Sequence, residues 1–383
     1  MKKHLFPLAL GGLAIGTTEF AVMGLLPDIA SSLDVSIPIA GYLISSYALG
    51  VVIGAPTLVA LSARFKPKYI LIALMIMFTI FNALSIISPD YNTLVITRFL
   101  SGLPHGAFFG VSTVVASKLA KKGKEAQDIA SIFTGLTLAI LLMVPLITYI
   151  GHNIHWRYAF AVVTILGLIT ILFLHLFLPN LNTLRTITFK EELEFFKTIK
   201  SWHILTILSI GFAGLFAWFS YIAPLLINIS GFDVGSISYL MVIAGLGMVI
   251  GNILGGYLAD KKDPIIVSIF LLALMVISLI LVFFFSESKI FSIILTFTCG
   301  ALATSISSPI NMIMLKSAKH SQLLGAAFIQ AGFNVANSLG AFLGGIPLLY
   351  GYAFNYPSLV GAAMAFIGML FCLVFYKKYK HDL

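Results

Sequence analysis

Three residues able to carry charge stand in otherwise apolar stretches of the chain: Glu19, Arg98 and His105. An ionisable side chain at the centre of a bilayer costs about 2.5–3.5 kcal/mol on insertion scales, so such residues face a cavity or a partner and mark a pathway. Arg98, Gly102 and His105 are spaced by four and then three, which puts them on one face of a helix. Burial disfavours the charged form of a carboxyl and a nearby cation favours it. Glu19 in a cavity that alternates between wet and dry can therefore take up and release a proton, with a permanent hydrogen-bonded or ion-paired lock as the other reading. Histidine changes charge near neutrality, so His105 reads as a proton relay to Glu19, as a hydrogen-bonding partner of a polar solute, or as a packing residue. Arg98 keeps its charge throughout, so within the proton-coupling group of Glu19, His105 and Arg98 it reads as structural or gating, with substrate binding as the other reading.

A second set is uncharged. Tyr47, Trp218, Tyr221, Asn252, Gln330, Asn334 and Asn337 also lie in apolar surroundings, and Gln330, Asn334 and Asn337 fall at i, i+4 and i+7, on one helical face. Polar groups facing lipid are costly, so all seven are candidates to line a substrate pocket at the midplane, with interhelical hydrogen bonding as the alternative for the amide stripe. A lining of amides and aromatics with few charges suits a neutral or weakly charged polar solute: a sugar, a nucleobase or nucleoside, or an amphiphilic drug. There is no G-x-x-x-x-G-K-[ST] sequence to bind ATP and no nucleophile paired with a base. Cys299 and Cys372 sit in apolar runs without metal-ligand spacing. An enzyme, a metal centre and a cofactor are therefore not expected, and a proton gradient is the expected drive.

The elements that must position these groups follow from composition. Of 383 residues, 60% are hydrophobic and 10% charged, and the mean hydropathy is +1.05, whereas a soluble domain carries about 25% charged residues. A span takes roughly 20 apolar residues, so the chain is long enough for about twelve. The predicted spans are 5–29, 38–63, 69–88, 92–117, 129–151, 158–179, 203–228, 235–259, 264–285, 290–314, 322–348 and 357–376. Lys2 and Lys3 ahead of the first apolar run resemble a signal peptide, but the segment continues to about Leu26 without a clear cleavage site and reads as a retained helix.

Twenty of the 23 Lys and Arg residues fall on one side of this arrangement; Arg157 and Lys289 fall on the other, and Arg98 lies within a span. By the positive-inside rule both termini are cytoplasmic. The net charge of +9 is thus spread over short loops, not gathered into a nucleic-acid-binding block. The longest loop, 180–202, joins the sixth and seventh spans. Thr188 and Glu191 form a capping-box pattern there, and Phe189, Leu193 and Phe196 recur at helical spacing opposite Lys190, Glu194 and Lys197. A short amphipathic helix on the inner membrane surface is expected, tethering an N-terminal half (1–179) to a C-terminal half (203–383).

The halves repeat. Leu49-Gly50-Val51-Val52-Ile53-Gly54 returns 197 residues later as Leu246-Gly247-Met248-Val249-Ile250-Gly251. The same displacement relates Pro27 to Pro224, Pro67 to Pro264, Gly135 to Gly332 and Ala139 to Ala336. Six spans per half make the repeat parallel, as described for major facilitator transporters. Gly50, Gly54, Gly247 and Gly251 allow close helix approach and read either as moving gates or as packing positions.

Together with Gly16-Thr17-Thr18-Glu19-Phe20-Ala21-Val22-Met23-Gly24-Leu25-Leu26-Pro27 and Arg98-Phe99-Leu100-Ser101-Gly102-Leu103-Pro104-His105-Gly106, this architecture resembles the major facilitator superfamily. The branch it resembles is the proton-coupled drug and sugar efflux branch, with AraJ-type sugar or purine efflux permeases. The resemblance covers essentially the whole chain. It implies an all-α membrane protein of twelve helices in two pseudo-symmetric halves, working as a monomer in a bacterial inner membrane. It further implies export of a small organic solute against protons by alternating access, with uptake by proton symport as the alternative and a pore or membrane sensor as a more distant one. The superfamily's loop similar to G-x-x-x-D-R-x-G-R-K, which latches the inner gate, is matched here by Arg64 and Lys68, but Ala63 replaces its acid; the second copy keeps Asp260. Of the antiporter motif similar to G-x-x-x-G-P-x-x-G-G, only Pro145 is present.

Overall fold

The structure, a computed structural model, describes residues 3–62, 65–121, 125–181, 198–317 and 322–379. Among them there is no strand, and twelve helices are long and apolar enough to cross a membrane. The first six are α1 (Phe6–Ser32), α2 (Ile37–Ser62), α3 (Pro67–Ile86), α4 (Tyr91–Leu119), α5 (Glu125–Leu138, continued by Ala139–Met143 and Val144–Asn153) and α6 (Arg157–Phe177). The second six are α7 (Ile199–Phe219 and Ile222–Asn228), α8 (Ile237–Lys261), α9 (Pro264–Phe285), α10 (Lys289–Ser317), α11 (Gln322–Leu349) and α12 (Tyr356–Tyr379). Each matches a span expected from the sequence. The expected amphipathic helix depends on residues 182–197, which lie outside the described residues, as does Arg64.

Apolar residues face outward as well as inward. On α9, Phe270, Ile277 and Phe284 recur every seven residues and are all exposed, while Leu271, Leu272, Met275 and Leu279 are buried. An exposed apolar stripe of this length suits lipid, where it costs nothing, and would be a liability in water. With lipid as apolar as the core, helix association rests on close packing and interhelical polar bonds.

Two spans are interrupted where proline removes a hydrogen bond. Pro145 has no N–H for the Leu141 carbonyl, and Ala139–Met143 widens into a π-helical turn. Pro224 likewise leaves the Ser220 carbonyl without its i+4 donor, and α7 breaks between Phe219 and Ile222. The π turn lies against α8, where a Cβ on Gly245 would sit 3.1 Å from both Ile140 O and Leu141 Cα.

Within the first six spans α2 packs on α4, α3 on α4 and α6, and α1 on α5; within the second six α8 packs on α10, α7 on α11 and α12, and α9 on α12. The two sets meet through α2 with α11, α5 with α8, α1 with α7, and α4 with α11. The repeat glycines lie inside each set, not between them. A side chain on Gly50 would overlap Phe99 O, and one on Gly54 would overlap Leu103 O; Gly247 and Gly251 stand in the same way against Phe297 O and Ala301 O. These four positions form the α2–α4 and α8–α10 seams.

Candidate functional site

The site is built where α1, α4 and α11 come together. Glu19 is 6% exposed and Arg98 fully buried. Arg98 Nη1 donates to the Thr18 hydroxyl (2.9 Å), which donates to Asn82 Oδ1 (2.7 Å). The guanidinium lies 4.3 Å from the Tyr47 ring centroid and 5.7 Å from that of Phe160. Its charge is therefore fixed in place by α1, α2, α3 and α6. Arg98 is the nearby cation acting on the Glu19 carboxyl, yet Arg98 Nε and Nη2 have no hydrogen-bond partner. Guanidinium and carboxyl thus face one another without a hydrogen bond between them.

From the second half, the Asn337 amide borders the Glu19 carboxyl, and neither Asn337 Nδ2 nor Oδ1 makes a hydrogen bond of 3.5 Å or less. Asn334 Nδ2 donates to the Gln330 carbonyl (3.0 Å), leaving its Oδ1 unpartnered. The three amides of α11 therefore do share one face, and that face meets the first half. Gln330 Nε2 donates to His105 Nε2 (2.9 Å), which puts the imidazole proton on Nδ1, where it is donated to the Tyr47 hydroxyl (3.0 Å). His105, read from sequence as relay, ligand or packing residue, is fully buried and bonded on both ring nitrogens.

The remaining candidates divide by place. Tyr221 is wholly buried at the break in α7; its hydroxyl donates to Ala341 O (2.8 Å) and it occupies the space that side chains on Gly41 and Gly345 would need. With the Tyr42–Phe342 stack (centroids 5.8 Å) and the reciprocal Ser45–Ser338 bonds (3.1 and 3.3 Å), it closes the end that carries the 33–36 and 350–355 connections. Tyr221 thus belongs to a closure between the halves. Trp218 is buried with Nε1 unpartnered. Asn252 lies on the same α8 face as Gly245, two turns further along, and is exposed there.

Of the loop residues expected to latch the inner gate, Lys68 Nζ donates to His175 O (2.6 Å) in the last turn of α6, inside the first half. Asp260 is exposed and pairs with no described residue; Asp263, three residues on, caps α9 by accepting from Ile265 N (2.8 Å). Sequence reasoning missed Thr18 and Asn82, although Asn82 is the lone amide in an apolar α3 and Thr18 adjoins Glu19. It also missed His152 Nδ1, 2.7 Å from Asp28 Oδ2 where α5 meets α1.

Comparison with known proteins agrees with this architecture. The chain is 38% identical to the putative transporter AraJ of Escherichia coli (strain K12) over 382 residues, covering 100% of this chain and 97% of that protein. It is 27% identical to a probable sugar efflux transporter of Helicobacter acinonychis (strain Sheeba), covering 96% and 93%. Among solved structures, a D-xylose-proton symporter superposes with a TM-score of 0.78 at 17% identity, covering 97% of each chain; at that identity the likeness shows the fold alone. Residues 8–327 match the Major Facilitator Superfamily, and with this coverage the chain belongs to that family of multi-pass membrane transporters.

Proposed function

We propose that the protein exports a small, neutral, polar solute across a bacterial inner membrane in exchange for protons, with both termini cytoplasmic. The observation that carries this is the buried Glu19 facing Arg98 from the first half and Asn337 from the second, with Arg98 Nε and Nη2 and both polar atoms of the Asn337 side chain making no hydrogen bond of 3.5 Å or less. A carboxylate at Glu19 is drawn to Arg98, whose Nε and Nη2 await an acceptor. A protonated Glu19 becomes a donor, and Asn337 Oδ1 is an acceptor in want of one. Proton binding thus releases α1 from Arg98 in its own half, while Asn337, which can donate to the carboxylate through Nδ2 or accept from the acid through Oδ1, keeps α1 engaged with the other half, a shift of balance that a coupled carrier can use.

The lysine and arginine count assigns the closed end to the outside, so the conformation is inward-facing and Asn252 opens to the cytoplasmic side. Gln330, Asn334 and Asn337 offer donors and acceptors without charge, the chemistry that recognises hydroxyls or a nucleobase edge. The sugar named for the Helicobacter relative makes a sugar the first class to test. Gly50, Gly54, Gly247 and Gly251 keep each half rigid as the halves rock, with the π turn before Pro145 and the Tyr221 closure as the moving contacts.

The test is proton movement in proteoliposomes under an imposed pH gradient, with sugars, nucleosides and cationic drugs offered to the wild type and to Glu19→Gln. Solute-evoked proton flux that disappears in Glu19→Gln supports the reading, and its direction relative to labelled solute separates antiport from symport. Undiminished proton flux in Glu19→Gln refutes Glu19 as the carrier.

A further inference from the structure

Among the described residues, contacts between the halves recur in one line along α11. Gln330, Asn334, Ser338 and Phe342 recur every four residues; Gln330 meets His105, Ser338 meets Ser45, and Phe342 stacks on Tyr42. The contacts of Ser338 and Phe342, with Tyr221 beyond them, seal the closed end. The Gln330 contact is the innermost. It also leads toward the charged cluster that Asn337 borders directly, because Tyr47, whose hydroxyl accepts from His105, carries the Arg98 guanidinium on its ring.

We infer that His105 is a positioning residue whose hydrogen-bonded bridge from Tyr47 to Gln330 clamps the two halves together at the inner end of this seam. Three features support the assignment. Both ring nitrogens are engaged at bonding distance, one by each half, so the imidazole is stretched between the halves. Its ring is wedged beside Phe109 (centroids 5.4 Å), which leaves little freedom to turn. Separating α4 from α11 would strand the Gln330 amide and a buried imidazole nitrogen together, a cost that opposes opening. Gln330 is half-buried while His105 and Tyr47 are fully buried, so the bridge is reached from the solute pathway through its amide. Clamping the halves and recognising solute therefore compete for one side chain. The inference adds to the transport reading a named tie between substrate recognition and closure.

The test is a distance measurement on the full chain in lipid nanodiscs, with spin labels on cysteines introduced at Ser36 and Tyr350. Both positions are exposed at the closed end, and the native Cys299 and Cys372 are buried. Losing one neutral hydrogen bond is expected to raise the ratio of long to short distances about fivefold in His105→Phe, and by a similar factor in Gln330→Leu. The double variant should show no further rise, since each substitution removes the same bond. An unchanged distribution in Gln330→Leu, whose site is half-buried and tolerant, or additive rises in the double variant, would overturn the bridge. The readout needs neither solute nor a pH gradient, so a failure of the transport reading and a failure of the bridge are seen separately.

Discussion

At related positions, 197 or 198 residues apart, the first half carries Glu19, Tyr47, Arg98 and His105 where the second carries Phe216, Ala244, Thr296 and Ala303. On α5 and α11 the asymmetry reverses, with Phe133, Thr137 and Ile140 in the first half against Gln330, Asn334 and Asn337 in the second. The seams are nonetheless alike in both halves. Gly102 abuts Tyr47 O as Gly300 abuts Ala244 O, and Gly54 abuts Leu103 O as Gly251 abuts Ala301 O. A backbone-to-backbone seam asks only that a side chain be missing, so two copies can keep it while their polar residues diverge. The buried charges thus lie in one half and the uncharged polar face of α11 in the other, which is the division of labour proposed above.

The largest effect should come from breaking that division at its charged end. Glu19→Gln is expected to reduce proton-driven solute flux to the level of protein-free liposomes, while Phe216→Leu at the related position keeps it; equal losses in the two would erase the distinction. Next is the shared skeleton. Gly54→Val and Gly251→Val should each overpack a closed seam, costing about 1–3 kcal/mol or more, read as comparable falls in melting temperature. Gly256→Ala, with nothing within 4 Å of its added carbon, should leave the melt where it was.

A smaller effect is expected for Arg98→Lys, which keeps the charge but loses the planar contact with Tyr47 and the geometry of the bond to Thr18. Coupled flux should fall about tenfold, the equivalent of one charge-assisted hydrogen bond of roughly 1.5 kcal/mol. Thr296→Val, at the related position, should change flux little.

The smallest effect concerns the helix caps, which also differ between halves. Asp90 caps α4 by accepting from Thr93 N (2.8 Å), and that backbone hydrogen bond holds its carboxyl below the ordinary value of 3.8. Its contribution to stability is complete above the ordinary carboxylate range and is lost as pH falls through the lowered folded value. Asp90→Asn should flatten that acid limb of the melting profile. In the second half the acid sits instead at Asp263, capping α9, while α3 begins at the non-capping Lys66.

The spans were legible because each needs about twenty apolar residues, a signal that survives any error in local propensity. The shared face of Gln330, Asn334 and Asn337 was legible for the same reason that the Arg98, Gly102 and His105 face was: helical spacing fixes both. The displacement of 197 residues found α2 and α8, but one extra residue between Pro264 and Phe297 hid the match of α4 to α10. Pairings between distant elements left no local trace. His105 and Gln330 are 225 residues apart and Tyr221 and Ala341 120 apart, so the sequence left His105 open between relay, solute partner and packing residue and gave no sign that Tyr221 lies where the halves meet. Pro145 and Pro224 were visible, but whether a proline yields a kink, a π turn or a break depends on what packs beside the freed carbonyl.

Counterflow of labelled solute in proteoliposomes, with the same solute at equal pH on both sides, tests the division of labour most directly. Glu19→Gln is expected to retain exchange near the wild-type rate while losing proton-driven accumulation, and Asn334→Leu to lose both. Loss of exchange in Glu19→Gln alongside its retention in Asn334→Leu would contradict that division, since recognition would then lie with the charged half.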